Sequence, residues 1–175
     1  MSETSKYRHL TVRYCVGNGL DIGSGGDPVV PWAIQVDLPD ADFLTYNQRP
    51  RPASVHLACA VDQLPFKDRT LDFVYSSHLL EDFEFGLWRK ILSEWVRVLK
   101  IGGNLVVIVP DAARWKAACD RGQPPNCAHR HEGTAGKIST ILRSGMAETG
   151  MATVMDSLTD LTPEDYSLLY VGVKI

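Results

Sequence analysis

No stretch of this sequence is apolar for long enough to cross a bilayer as a helix, which takes about 20 consecutive residues. The opening residues, Met-Ser-Glu-Thr-Ser-Lys-Tyr-Arg-His, have no apolar segment behind their basic side chains, so no secretory signal is read and the cytoplasm is the expected compartment. A surplus of positive charge is missing too. Eighteen Lys and Arg face 21 Asp and Glu, a formal charge of -3, which gives no general field for nucleic acid or anionic lipid. Neither a nucleic-acid partner nor a membrane is expected.

Cysteine is scarce. The four present, Cys15, Cys59, Cys119 and Cys127, include no Cys-x-x-Cys pair and read as reduced, mostly buried thiols. Cys119, Cys127, His129 and His131 bring zinc-binding side chains together in sequence, but without the spacing of a standard site, so no metal is expected there. What is present is ordinary for a globular domain: 45% hydrophobic and 22% charged residues in 175, enough for a single domain over residues 1–175 with one active site.

Residues 5–16 read as a short strand or an irregular N-terminal arm, with Tyr7, Leu10, Val12, Tyr14 and Val16 interleaved with polar residues. Strands are predicted at 20–22, at 32–36 ending in Asp37, at 54–58 and at 71–75. The clearest helix is 85–99, where Leu87, Trp88, Ile91, Leu92, Trp95, Val98 and Leu99 recur at helical steps while Arg89, Lys90, Ser93, Glu94 and Arg97 face away. Trp88 and Trp95 therefore belong to a core rather than to a base-stacking surface. Lys100 and Gly102-Gly103 are expected to stop that helix, and the unbroken run 105–109 predicts a central parallel strand covered on both faces. Residues 111–133 read as a part-helical lid or substrate insertion. A short helix is expected over 134–144, strands over 152–155 and 167–173, and a turn at Thr162-Pro163. The fold expected is an α/β, Rossmann-like open sheet, mostly parallel with an antiparallel C-terminal strand pair and shortened crossovers.

Function is carried by the turn Gly-Leu-Asp-Ile-Gly-Ser-Gly-Gly, residues 19–26. Glycine lets a backbone turn tightly and approach a ligand closely, and Asp37, at the end of the next strand, can accept both hydroxyl hydrogens of a ribose. Dinucleotide sites need a helix directly behind such a turn to hold pyrophosphate. Only residues 23–31 separate the two expected strands, with Pro28 and Pro31 among them, so a full helix has no room. A phosphate-free nucleoside needs none. Parallel strands usually require about a dozen or more residues to cross over, so either the second strand starts after Trp32 or the crossover is pared to a loop.

The glycine turn, then Gln-Val-Asp-Leu, then Asp62 to Asp82 (Asp-Gln-Leu-Pro-Phe-Lys-Asp-Arg-Thr-Leu-Asp-Phe-Val-Tyr-Ser-Ser-His-Leu-Leu-Glu-Asp), then Arg-Val-Leu-Lys-Ile-Gly-Gly, resemble the successive motifs of the type 11 S-adenosylmethionine-dependent methyltransferases. The resemblance covers residues 19–110. It implies S-adenosylmethionine as cofactor, with Gly23, Ser24 and Gly25 under its methionine and ribose parts, Asp21 bracing the turn or meeting the amino group through water, and Asp37 with Leu38 at the ribose. The adenine would meet backbone at Ala60 and Val61, with Asp62 replacing the acid that such proteins carry at the position of Ala60. Ser76 and Ser77 would flank the methionine end. His78 is the candidate base or a cap on the strand end, and Glu81 and Asp82 are either solvated carboxylates or groups that orient His78 or the acceptor. The implied reaction moves a methyl group to the oxygen, nitrogen or carbon of a small molecule, such as a metabolite or a sugar-containing precursor, and releases S-adenosylhomocysteine. The alternative is a non-catalytic S-adenosylmethionine-binding module, and the chain would act as a monomer or homodimer. The acceptor pocket would draw on residues 1–16, 78–86 and 111–133.

Overall fold

The computed structural model describes residues 2–48, 50–123, 151–157 and 165–175, together with Arg130, Thr140 and Ser144. They form a seven-stranded sheet in the order β3-β2-β1-β4-β5-β7-β6. The strands are β1 (Gly19–Ile22), β2 (Ile34–Asp37), β3 (Leu57–Ala58), β4 (Leu71–Ser77), β5 (Leu99–Pro110), β6 (Met151–Ser157) and β7 (Ser167–Lys174). β1 to β5 run parallel, β7 is antiparallel to β5, and β6 is antiparallel to β7. This is the expected Rossmann-like α/β sheet with its antiparallel C-terminal pair.

Alternation along the inner strands assigns the two faces. Leu105, Val107 and Val109 of β5, with Leu168 and Tyr170 of β7, pack beneath helix α3 (Phe85–Val98), which contributes Trp88, Ile91, Leu92 and Trp95. Val106, Ile108, Leu169 and Val171 face the other way and meet Phe73, Tyr75, Tyr7, Cys15, Val29, Val30 and Ala33. The apolar run of β5 is thus covered twice, although its second neighbour is the antiparallel β7 rather than another parallel strand.

Helix α1 (Glu3–Thr11) replaces the strand or irregular arm expected at the N-terminus. Ser2 caps it, its hydroxyl accepting from the Ser5 N–H at 3.0 Å, and Glu3 lies in the first turn with Arg8 and His9 in the last. Its buried residues, Thr4, Tyr7 and Thr11, recur at helical steps, but two are threonines, so the stripe does not register as apolar. Arg8 joins α1 to the loop after β1 through Asp27 and the Pro28 carbonyl.

That loop, residues 23–33, contains no helix, and β2 begins at Ile34 with Trp32 exposed. Both resolutions of the short crossover therefore apply. α1 and the loop together cover the sheet face that a crossover helix would otherwise cover.

Three further expectations are corrected. α3 ends at Val98 because Leu99 is already extended, and Lys100 and Gly102-Gly103 lie inside β5 at a register shift opposite Leu71 and Phe73. Leu87 is exposed, whereas Val96 is buried. Glu94 and Arg97 do not simply face water: the Glu94 carboxylate accepts from the Leu64 N–H at 2.7 Å, and Arg97 donates to the Leu64 and Phe66 carbonyls at 3.1 and 2.8 Å. Helix α2 (Asp40–Asn47) was not anticipated, and α4 (Ala112–Asp120) opens the 111–133 segment. The helix expected over 134–144 falls outside the described residues except for Thr140 and Ser144, both helical, as does the turn at Thr162-Pro163. Among the described residues no helix is long and apolar enough to cross a membrane.

Gly19 shows how tightly β1 is set against β4. A Cβ there would stand 2.4 Å from both the ring and the carbonyl oxygen of Phe73, its register partner. Gly19→Ala is expected to lower unfolding free energy by about 1–3 kcal/mol, the usual cost of overpacking. Gly86→Ala, in open space on α3, is expected to be neutral or stabilising by up to about 1 kcal/mol. Urea unfolding of both variants checks the contrast, and equal midpoints would remove the argument.

Candidate cofactor and acceptor site

Because β1, β2 and β4 are parallel neighbours, Ile22, Asp37 and Ser77 finish on one edge of the sheet, where ligands of open α/β sheets bind. The chain leaves β1 through Gly23 and Gly25, with φ of 76° and 56°. The Gly23 N–H donates to the Val36 carbonyl at 2.8 Å, fastening the turn to β2. A Cβ on Gly23 would approach the Leu79 side chain to 3.0 Å, so this turn also packs against the segment that follows β4.

Asp37 closes the turn from the other strand. One carboxylate oxygen accepts from the Gly25 N–H and the other from the Leu38 N–H, each at 2.9 Å. Each oxygen has two lone pairs, so the group retains acceptor capacity after these bonds. Below it, Ser24 donates to the Gln35 side chain at 3.2 Å and Ser76 to the Ile22 carbonyl at 3.0 Å. Asp21 is buried and accepts from the Val29 N–H at 2.6 Å. Burial pushes its carboxyl up to about 7 against the opposing pull of that hydrogen bond, and Asp27 and Asp37 push it further.

A cavity of about 360 Å³ opens over this edge, within the usual size of small-molecule sites. Gly23, Gly25, Asp37 and Leu38 line one side, with Phe43 of α2; Val61, His78, Leu79, Asp82, Phe83 and Arg130 line the rest. Val61 is held by Trp95, whose indole N–H donates to its carbonyl at 2.9 Å, and Phe83 is held likewise by Trp88 at 3.0 Å. The core tryptophans of α3 thus fix two cavity walls by their polar edges.

The expected residues divide accordingly. Gly23, Gly25, Asp37, Leu38, Val61 and His78 meet at the cavity. Asp21, Ser24 and Ser76 hold the backbone beneath it, and Ser77 ends β4 buried. Ala60 is exposed, its carbonyl accepting from the Gln63 N–H, and Asp62 is paired with Lys90 at 2.6 Å. Cys127, His129 and His131 lie outside the described residues, and among those described no cluster of His, Cys, Asp and Glu suits a metal. Leu79 and Phe83 lie in the 78–86 segment and Arg130 in the 111–133 segment expected to supply the acceptor pocket, whereas Phe43 was missed. For Phe43 a signal existed, since Pro39 followed by Asp40 and Asp42 marks a helix start.

His78 has φ of 53°, and its N–H donates to the Ile108 carbonyl at 2.9 Å. The ring Nδ1 lies 3.2 Å from Glu81 Oε1, and Nε2 lies 2.9 Å from Ser167 Oγ and 3.6 Å from Glu3 Oε2. Glu81 is fully buried, so it is not a solvated helix-entry carboxylate, and its backbone carbonyl accepts from the Arg130 N–H at 2.7 Å. Burial disfavours the charged ring, but the hydrogen bond to Glu81 and the charges of Glu81 and Glu3 outweigh it and hold the imidazole above its ordinary range.

A family model described as a methyltransferase domain matches residues 20–107. No match emerges among curated proteins. Solved structures align over nearly the whole chain. The PH0226 protein of Pyrococcus horikoshii is 15% identical, covers 98% of this chain and 89% of its own, and gives a TM-score of 0.69. A methyltransferase of Thermotoga maritima, described as a possible histamine N-methyltransferase, is 18% identical over 98% and 96% of the two chains with a TM-score of 0.61. A geranyl diphosphate methyltransferase solved with S-adenosylmethionine is 15% identical over 99% and 86% with a TM-score of 0.60. At such identities the likeness is one of fold.

Proposed function

Because the chain belongs to the type 11 family of S-adenosylmethionine-dependent methyltransferases, we propose that it is an enzyme which methylates a small-molecule acceptor and releases S-adenosylhomocysteine. The observation that carries this reading is Asp37, clamped by two backbone N–H groups at the mouth of a glycine turn yet still lining the cavity. A carboxylate so fixed is suited to a ribose diol. The flanking Leu38, Val61, Leu79 and Phe83 offer apolar surface to a flat adenine. Gly23 and Gly25 keep the floor free of side chains, with Ser24, Asp21 and Ser76 bracing it. Val61 and its neighbours Ala60 and Asp62 form the adenine side, and Ser77, His78 and Glu81 the methionine side.

S-adenosylmethionine supplies a methyl group on a sulfonium, and displacement there is in line, so the protein's main contribution is to hold the acceptor close and aligned. Both ring nitrogens of His78 already face protein groups. Two observations support a small acceptor: the modest size of the cavity, about 360 Å³, and a net charge that provides no field for a nucleic acid. The geranyl diphosphate and possible histamine enzymes are fold neighbours whose named acceptors are also small.

Calorimetry with S-adenosylhomocysteine tests the reading. Saturable one-to-one binding is expected, and no heat up to about 1 mM, the top of the ordinary range for enzyme substrates, would overturn it.

A further inference from the structure

His78 stands where three parts of the molecule meet: the cavity, the sheet edge and helix α1. Its left-handed backbone turns the chain out of β4, and the next residue, Leu79, is the one that packs over Gly23. The groups around its ring come from each neighbouring element. α1 brings Glu3 and the charge of Lys6, the turn after β4 brings Glu81, and the entry to β7 brings Tyr166 and Ser167, with Tyr7 and Asp165 one hydrogen bond behind Ser167 and Lys6.

The hydrogen bonds around the ring favour one protonation state. Tyr7 has one hydroxyl hydrogen, which it donates to the Asp165 carboxylate. The Tyr7 and Ser167 oxygens are 2.9 Å apart, so Ser167 donates its hydrogen to Tyr7. Ser167 Oγ is then left to accept, and the partner 2.9 Å away is His78 Nε2, which must carry a hydrogen to satisfy it. On the other side Nδ1 faces the Glu81 carboxylate, which can only accept while ionised. With Glu81 ionised, both nitrogens donate. The cation is balanced by Glu81 and by Glu3, which Tyr166 fixes by donating to its other oxygen at 2.7 Å. Lys6 opposes this charge: its ammonium lies 3.3 Å from Asp165 and 3.8 Å from Glu3 Oε2, so Glu3 is shared between Lys6 and the ring, and Glu81, on the other side of the ring, is the nearer counter-charge.

We propose that Glu3 and Glu81 together hold His78 as a doubly donating imidazolium, making Glu3 and His78 positioning residues that fix the turn on which Leu79 closes over the cofactor glycine. The proposal rests on the methyltransferase reading for what fills the cavity. It gives α1 a part in that site through Glu3, although no residue of α1 lines the cavity itself. A base with both nitrogens donating has no lone pair with which to take a proton, so the acceptor presents its nucleophile in reactive form or loses its proton elsewhere.

The test uses the full chain, nitrogen NMR of the His78 ring and calorimetry with S-adenosylhomocysteine from about pH 6 to about pH 9, bracketing the ordinary imidazole value of about 6.5. In the wild type both ring nitrogens are protonated at neutral pH. A group with a raised native value contributes below its titration and loses that contribution as pH rises through it, so affinity falls by about threefold to tenfold as the ring deprotonates. Glu3→Gln, a change on a part-exposed side chain, moves both the ring titration and the loss of affinity to lower pH together. His78→Gln removes the dependence on pH, with thermal unfolding showing whether that variant folds. A neutral ring at pH 7 in the wild type, or a Glu3→Gln variant with neither titration nor affinity moved, overturns the proposal. No binding of S-adenosylhomocysteine by the wild type at any pH overturns the methyltransferase reading instead, because the NMR titration then stands alone.

Discussion

Asp37→Ala binds S-adenosylhomocysteine at least about a hundredfold more weakly than the wild type while remaining folded. Two effects combine. The variant loses the acceptor proposed for the ribose hydroxyls, and hydrogen bonds to a charged group contribute about 1.5–3 kcal/mol each. It also releases the Gly25 and Leu38 N–H groups, so the glycine turn is no longer tied to the end of β2. Leaving those two donors unsatisfied costs on the order of 2–4 kcal/mol of stability, within the 5–15 kcal/mol typical of a domain. Asparagine is not a gentle replacement, because one of the two N–H groups then faces an NH₂ donor instead of an oxygen. Asp37→Asn should therefore bind nearly as poorly as Asp37→Ala. Calorimetry gives the affinities and urea unfolding the stability. If either variant binds within about threefold of the wild type, the ribose is held elsewhere.

The glycine turn, Asp37 and helix α3 were legible in the sequence because each depends on neighbours close in the chain. A turn needs its own glycines, and an amphipathic helix advertises its face every three or four residues. α1 escaped because two of its three buried positions are threonines, which carry helical spacing without hydrophobicity. The missing crossover helix was readable from the spacing of residues 23–31, but not that Tyr7 of α1 would join the loop's Val29, Val30 and Ala33 in covering the sheet in its place. The charge cluster was opaque for the same reason. Glu81, three residues from His78, was noticed, but its burial depends on the packing around it. Glu3 and Ser167 reach the ring from opposite ends of the chain. Arg130 reaches the cavity through the 111–133 segment, whose composition suggested a cover but gave no register. A functional site assembled from both termini is visible only once the sheet brings β4, β7 and α1 together.

Asp21→Asn raises stability at neutral pH, and its advantage over the wild type grows as pH rises from about 4 to about 7 and is constant above that. Asp21 is enclosed between the sheet and the loop it supports, and burial lifts its carboxyl to about 7 in the native state, against about 3.9 in the unfolded chain. Between those values the native protein keeps a proton that the unfolded chain has lost. Linkage then makes wild-type stability fall as pH rises through this window, by up to about 4 kcal/mol in all. An amide cannot ionise, and its oxygen can still accept from the Val29 N–H, so the variant escapes this loss. Asp27, Asp62, Asp72 and Asp165 act in the opposite sense, because their native carboxyls sit below the usual range and stabilise the fold only once ionised. The total stability curve mixes both trends, so the difference between variant and wild type is the quantity to measure. Urea unfolding at intervals from about pH 4 to about pH 8, spanning the two Asp21 values, should show that difference rising and then levelling off above about pH 7. A difference that stays flat across this range would mean that Asp21 is ionised in the fold throughout, with its charge met by the Val29 N–H and the Arg8 guanidinium across the loop.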